Sequence, residues 1–101
     1  MYEGVRIVVE SLGAAPLIAE YDAEHRTIRV NARMVERMRM RFGESAARTL
    51  VACAVAHERR HLLHPDASEE EAHAHVRAVT GVDPRVLEAM LRSSLRWEAH
   101  V

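Results

Sequence analysis

The sequence predicts an α+β fold in which a short N-terminal antiparallel sheet is followed by about four helices. Segments with alternating apolar and polar residues occur before position 31, and apolar residues at helical spacing follow them. Strands grouped ahead of helices are typical of α+β proteins, whereas α/β proteins alternate the two. The chain has 101 residues, of which 49% are hydrophobic. One domain over residues 1–101, with a single modest core, is therefore expected.

Three segments carry the strand prediction. Residues 5–10, 17–21 and 27–30 are short and rich in alternating or β-branched apolar side chains. Residues 13–16 contain glycine and proline and are predicted to form a turn between the first two strands. Residues 22–26 are mostly polar and are predicted to close the last two strands into a hairpin.

Capping residues bound the first two predicted helices. Asn31 is a good N-cap for a helix over 32–42, and Gly43 is a natural C-terminal stop. Ser45 is predicted to cap a second helix over 46–64, which ends there because a proline follows it.

The last two predicted helices have similar signals. Asp66 or Ser68 caps a third helix that runs to Gly81, and Pro84 opens a fourth over 84–98. The fourth helix carries an apolar stripe that forms either core or a homodimer face: Val86, Leu87, Met90, Leu91 and Leu95. Trp97 near the end of this helix favours an interface, so a homodimer through the C-terminal helix stays open.

Composition excludes several classes of function. The net charge is −1 with neutral histidines, whereas nucleic-acid-binding proteins usually carry a basic excess. No apolar run approaches the roughly 20 residues that span a membrane, and the first residues lack a secretory signal pattern. Cys53 is the single cysteine, so an intrachain disulfide cannot form and a reducing, cytoplasmic setting is expected.

Histidines carry the main functional signal. The stretch His57-Glu58-Arg59-Arg60-His61 places two of the 7 histidines four positions apart in the second predicted helix. Residues at i and i+4 lie on one helix face, so both imidazoles can reach one metal ion. Zinc lowers the pKa of its bound water towards about 7, and Glu58 lies close enough to accept the proton. The motif therefore predicts a zinc site held by His57 and His61, with Glu58 as the general base.

The two histidines continue an apolar face of the same helix. Leu50, Ala54 and His64 share that face with them at helical spacing. The alternative is that the histidines bind no metal and are partly buried residues with hydrogen-bond partners from the protein.

A catalytic zinc site needs a third protein ligand. Six residues after the motif are candidates for this position: Glu69, Glu70, Glu71, His64, His73 and His75. Glu71 is expected to complete a capping box with Ser68, which engages its carboxylate with the backbone. His64 reads more simply as a helix C-cap residue, and His73 could orient a ligand or stabilise an oxyanion.

Helix periodicity selects Glu69 among these candidates. The apolar face of the third helix comprises Ala72, Val76 and Val79. Glu69 precedes these residues on the same face and is therefore the predicted third ligand. Glu70 lies on a more polar face and is the second choice.

On these residues the chain resembles the zincin metallopeptidases, in particular the minimal gluzincins and the bacterial ImmA/IrrE-type peptidases. The matching stretches are 57–64 (His-Glu-Arg-Arg-His-Leu-Leu-His) and 69–73 (Glu-Glu-Glu-Ala-His). The resemblance implies a minimal zincin-like fold, zinc-dependent hydrolysis of peptide bonds and a glutamate ligand on the helix after the motif. The hairpin at 21–31 resembles the zincin edge strand, to which an extended peptide adds as a further strand.

Two functions remain in view. The first is a zinc-dependent metallopeptidase that acts on a peptide or protein substrate. The second is a zincin-like metal-binding module that is catalytically weak or latent and works by interaction. Arg59 and Arg60, two charged residues inside the motif, favour the second function.

Overall fold

The computed structural model describes residues 4–12 and 17–99, with side chains as far as residue 93. Within these ranges strands precede helices: β1 (Arg6–Glu10), β2 (Ala19–Asp22), β3 (Thr27–Asn31), α1 (Ala32–Phe42), α2 (Glu44–Leu63), α3 (Glu69–Thr80) and α4 (Pro84–Ala99). This order confirms the predicted α+β fold. The predicted turn at 13–16 and the side chains of Leu95 and Trp97 lie outside the described residues.

The sheet has the strand order β1-β3-β2, with β3 in the centre. β2 and β3 form the predicted antiparallel hairpin. β1 pairs with β3 in parallel, so the prediction of an antiparallel sheet is wrong for this strand. Glu10 at the end of β1 pairs with Asn31, and Ala19 at the start of β2 pairs with Val30. β1 therefore ends beside the same end of β3 at which β2 begins. β2 runs antiparallel to β1, and β3, which is antiparallel to β2, runs in the same direction as β1.

Asn31 joins the sheet to α1. Its side chain is fully buried. Its Oδ1 accepts a hydrogen bond from the Arg33 N–H at 3.2 Å, which caps α1 as predicted, and another from the Leu12 N–H at 3.1 Å. Its Nδ2 donates to the Leu17 carbonyl at 2.7 Å. One side chain therefore ties together the exit from β1, the approach to β2 and the start of α1.

Gly43 ends α1 and directly precedes α2. Its φ of 98° lies in the region that side chains disfavour. Its N–H donates to the Arg39 carbonyl at 2.9 Å, and its own carbonyl accepts from the Ala47 N–H at 3.1 Å. α2 therefore begins at Glu44, and the prediction of Ser45 as its N-cap is wrong. The glycine lets one helix turn directly into the next, so no capping side chain is needed.

A short connection over 64–68 places α2 and α3 side by side. His64 is the C-cap of α2, and its N–H donates to the Arg60 carbonyl at 2.9 Å. Ser68, rather than Asp66, caps α3, because its Oγ accepts from the Glu71 N–H at 3.1 Å. α3 ends at Gly81, which adopts the left-handed conformation typical of helix C-termini.

The helices cover one face of the sheet and enclose one core. Its buried members come from β3 and all four helices and include Ile28, Val30, Met34, Met38, Leu50, Val76, Leu87 and Leu91. Burial of this apolar surface is the main stabilising contribution to the fold. No helix in the described ranges is long and apolar enough to cross a lipid bilayer.

The apolar face of α3 differs in part from the prediction. Ala72 and Val76 are fully buried as expected, but Val79 is 62% exposed. Thr80, four positions after Val76, takes the inward place and accepts a hydrogen bond from the Cys53 Sγ at 3.6 Å. The inward face of α3 therefore continues from Val76 to Thr80, because positions four apart lie one above the other on a helix.

Candidate metal centre

Two successive turns of α2 and the first residue of α3 bring three metal-binding side chains together. The Nε2 atoms of His57 and His61 lie 3.2 Å apart. The Glu69 carboxylate contacts both rings, with Oε2 at 3.1 Å from His57 Nε2 and Oε1 at 2.9 Å from His61 Nε2. In the described part of the chain, these are the residues whose arrangement could hold a metal ion. They are also the three residues that the sequence predicted as ligands.

The spacing of the two ring nitrogens fits a tetrahedral zinc ion. Bonds of about 2.0–2.1 Å at tetrahedral angles hold neighbouring ligand atoms about 3.3 Å apart. The two Nε2 atoms, 3.2 Å apart, are close to that separation, while they contact different oxygens of the Glu69 carboxylate, at 3.1 and 2.9 Å. One ligand atom from each residue gives a group within 4.8 Å. Two imidazole nitrogens and one carboxylate oxygen also form a donor set found at catalytic zinc sites, where the fourth position stays open.

With two neutral imidazoles and an ionised carboxylate, hydrogen bonds alone leave one of these contacts without a matched donor and acceptor. A neutral imidazole carries one N–H, and an ionised carboxylate only accepts. If both Nε2 atoms carry their proton, each can donate to Glu69, and the His57–His61 contact then joins two donors. If one Nε2 lacks its proton, that nitrogen has nothing to offer the carboxylate. A cation between the three groups satisfies all three contacts at once.

The surroundings lower the pKa values of both His57 and Glu69. Partial burial lowers the pKa of His57, against the attraction of the Glu69 charge. Partial burial raises the pKa of Glu69, but the charges of His57 and His61 and their hydrogen bonds outweigh it, so the net shift is downward. Metal ligation requires neutral imidazoles and an ionised carboxylate, and each of these two shifts favours one of those forms.

Glu58 lies beside the group without belonging to it. Its side chain is largely buried, with Oε1 3.9 Å from His57 Nδ1. Burial raises the pKa of Glu58, and the negative charges of Glu69 and Glu20 raise it further, while His61 opposes the change. A carboxylate whose pKa is raised in this way holds a proton more readily than one in water, which suits a general base.

Arg85, at the start of α4, determines the role of the neighbouring His73. Its Nε donates to His73 Nδ1 at 3.3 Å, so the proton of a neutral His73 ring is on Nε2. That Nε2 lies 3.9 Å from the Glu69 Oε2, and the His73 and His57 ring centroids are 5.4 Å apart. His73 therefore presents a hydrogen-bond donor beside the candidate ligand Glu69.

The other candidates for the third ligand have different surroundings. Glu70 accepts from Arg85 Nη2 at 2.8 Å. Glu71 lies in the first turn of α3, exposed to solvent, and its N–H donates to the cap residue Ser68. His64 is exposed at the end of α2, and His75 lies on a different face of α3 from Glu69.

Sequence reasoning missed the link between Arg85 and His73. These residues lie on different helices, and neither spacing nor capping signals connects them. Only the packing of α4 against α3 brings them together.

A cavity of about 280 Å³ adjoins His57 and Glu58. It extends from the start of β2 across α2 to α4, and its wall is mostly apolar: Leu17, Ile18, Ala19, Met34, Leu50, Cys53, Ala54, Pro84, Leu87 and Leu91. The sequence indicated several of these residues as core, but not that they border an open space. The cavity borders the His57 member of the His57–His61–Glu69 group and could receive an apolar ligand group.

β2 forms an open edge of the sheet next to α2. The Ile18 carbonyl accepts from the Asn31 N–H at 2.8 Å, so this residue directs its backbone towards β3. Successive residues of a strand direct their backbone groups to opposite sides. Ala19 and Tyr21 therefore present backbone groups away from β3, and Ala19 also borders the cavity.

No protein-family model, curated protein or solved structure matches this chain. The fold and the centre themselves define its class: an α+β protein with a His-His-Glu group on two adjacent helices and an open sheet edge nearby.

Proposed function

We propose that this protein is a zinc-dependent metallopeptidase, in which His57, His61 and Glu69 hold the ion and Glu58 is the general base. One observation carries the proposal. The Nε2 atoms of His57 and His61 lie 3.2 Å apart, and each lies 2.9–3.1 Å from an oxygen of the Glu69 carboxylate, so two imidazoles and a carboxylate converge on a point where a cation can bind. Zinc, when bound, supplies Lewis acidity that polarises a carbonyl group and lowers the pKa of water to about 7.

The remaining parts of the reaction belong to the chain itself. Glu58 borders the cavity and accepts a proton from the attacking water, because its carboxylate lies outside the ligand group. The outward backbone groups of Ala19 and Tyr21 bind an extended peptide as an added strand. The apolar cavity receives one side chain of that peptide and excludes water around the scissile bond.

A metal-binding module without hydrolytic activity is the second candidate. The observation that favours it is the exposure of Glu69, whose side chain is 68% accessible to solvent. Hydrolytic centres are usually shielded from bulk water, whereas an open centre suits contact with another macromolecule. For either function we propose a cytoplasmic location, because Cys53 is the single cysteine of the chain.

Metal analysis tests the site. Protein purified without chelators should contain about one zinc per chain. His57→Ala and Glu69→Ala should lower the zinc affinity by orders of magnitude. Glu71→Ala is the matched control, because this neighbouring carboxylate lies outside the group, and it should change the affinity little. Unchanged zinc content in His57→Ala would end the proposal.

Peptide cleavage separates the two candidates. Glu58→Gln should keep the zinc and abolish hydrolysis of an unstructured protein substrate such as casein, because the base does not ligate the metal. Zinc-loaded wild type that cleaves no member of a broad peptide library would favour the metal-binding module instead.

A further inference from the structure

β1 forms the edge of the sheet that lies away from β2, and its core-side residues are only half covered. Ile7 pairs with Ile28 and Val9 pairs with Val30, so each pair lies on the same face of the sheet. Ile28 and Val30 are fully buried, whereas Ile7 is 46% exposed and Val9 is 51% exposed. The helices thus cover the central strand but leave apolar side chains of the edge strand in contact with water.

The backbone of β1 also has hydrogen-bonding groups on its outer side. The Arg6 N–H donates to the Arg26 carbonyl at 2.9 Å, so Arg6, Val8 and Glu10 direct their backbone groups towards β3. Ile7 and Val9 direct theirs outward. Within the described ranges, no backbone hydrogen bond from another element reaches these two residues. An uncovered edge of this kind is a template for pairing with another strand.

We propose that this edge is a dimerisation surface, on which two copies of the chain pair their β1 strands antiparallel about a two-fold axis at Val8. In this register Ile7 of each copy lies opposite Val9 of the other. Both residues have outward backbone groups, so they form hydrogen-bonded pairs. Val8 faces its own counterpart in a non-hydrogen-bonded pair, which agrees with its backbone pointing towards β3.

Charge complementarity identifies a second copy as the partner. The same register places Arg6 of each copy opposite Glu10 of the other, on the solvent face of the sheet. Moving the register by two residues in either direction keeps the hydrogen-bond pattern but separates these opposite charges. Arg29 already lies 3.2 Å from Glu10, so the carboxylate would lie between two guanidinium groups in the dimer.

The apolar faces of the two copies become continuous in this arrangement. Ile7 borders a groove with Val51, Val55 and Val79, and Val79 is exposed. A two-fold axis perpendicular to the sheet keeps the helices of both copies on the same side. The two grooves therefore meet across the axis and supply the apolar contact area that strand pairing alone lacks. β2, beside the candidate metal centre, stays free.

The test is the oligomeric state of the full chain, measured by sedimentation velocity over a range of concentrations. The wild type should be a dimer. Arg6→Glu should raise the dimer dissociation constant about tenfold to hundredfold, because each of two pairs changes from attraction to repulsion. The double variant Arg6→Glu with Glu10→Arg should bind more tightly than Arg6→Glu alone, because it restores both pairs in reversed order, but more weakly than the wild type, because it loses the Arg29–Glu10 ion pair.

A matched control separates the interface from general charge effects. Glu20, like Glu10, is a carboxylate next to Arg29, but it lies on β2 at the opposite edge of the sheet. Glu20→Lys reverses its charge and should leave the dimer intact. A wild type that stays monomeric at all concentrations would overturn the proposal. An Arg6→Glu variant whose dimer dissociation constant equals that of the wild type would also overturn it, and would point to another surface such as α4.

Cysteine cross-linking tests the register independently of charge. Non-hydrogen-bonded partners of an antiparallel pair have Cα atoms about 4.5 Å apart, within the range of a disulfide. Val8→Cys should therefore give covalent dimers under mild oxidation. Glu24→Cys, in the exposed hairpin turn, is the control and should remain monomeric on a non-reducing gel. A dimer in which Val8→Cys cross-links no better than Glu24→Cys would refute the register.

Discussion

Replacement of Asn31 by alanine should destabilise the fold by about 3 kcal/mol. Loss of a helix N-cap costs about 1 kcal/mol. The substitution also removes the partners of the Leu12 N–H and the Leu17 carbonyl, and each buried unpaired group costs about 1–3 kcal/mol. Leu12 is half-buried and Leu17 is 41% exposed, so water partly replaces the lost bonds and the lower figure of about 1 kcal/mol applies to each.

Thermal and urea unfolding, monitored by circular dichroism, measure this cost. For a domain of this size 1 kcal/mol corresponds to a change of about 4–8 °C in Tm, so Asn31→Ala should unfold about 12–24 °C below the wild type. Asn31→Ser keeps the cap, but its shorter side chain cannot reach the Leu12 N–H and the Leu17 carbonyl. It should therefore be about 1 kcal/mol more stable than Asn31→Ala. The control Arg33→Ala leaves the capped N–H in place and should stay within about 0.5 kcal/mol.

Two results would refute this reasoning. A cost below about 1 kcal/mol for Asn31→Ala would show that the buried amide joins the strands without stabilising them. Equal stabilities of Asn31→Ser and the wild type would show that only the cap matters.

Three further predictions concern pH and metal. The hydrogen bond with the His25 ring, the His25 N–H and Arg29 hold the pKa of Asp22 well below its usual range. The ionised Asp22 therefore contributes its full stabilisation above the pKa of about 3.9 in the unfolded chain, and this stabilisation is lost as pH falls below that value. The stability advantage of wild type over Asp22→Asn should shrink between about pH 5 and pH 2.5. A difference in Tm that stays constant over this range would contradict the prediction. Zinc should stabilise the fold by about 2.7 kcal/mol at a concentration of 100 times its dissociation constant, and a chelator should reverse the rise in Tm; an equal rise in His61→Ala would contradict this. Zinc occupancy should fall as pH drops below roughly 6.5, because protonated imidazole cannot ligate, and full retention well below about pH 5 would indicate other ligands.

Local signals in the sequence predicted the parts of the fold that depend on neighbouring residues. Asn31 and Gly43 bound α1 as expected, because capping involves atoms only a few residues apart. The grouping of His57, His61 and Glu69 could be predicted from the sequence for the same reason. Two of these residues share one helix face, and the third follows a connection too short to carry it elsewhere.

The parts that sequence reasoning missed depend on contacts between distant segments. The parallel pairing of β1 follows from the position of β3 between the two edge strands, which no local pattern encodes. Ser45 is a good capping residue, but the conformation of Gly43 made a side-chain cap unnecessary. Val79 has the right spacing for an apolar face, yet α2 and α4 cover a narrower part of α3 than that spacing implies. The link between Arg85 and His73 required the packing of α4.

The candidate metal centre joins two helices that are close together in the chain. His57 and Glu69 are 12 positions apart, whereas Glu10 and Asn31, which pair in the sheet, are separated by 21. Closing the shorter loop costs less chain entropy, and contacts between near neighbours in sequence form early in folding. The α2–α3 hairpin can therefore assemble its three polar side chains before β1 finds its register beside β3. An ion bound at that stage would accelerate folding, in addition to slowing the unfolding of the finished protein.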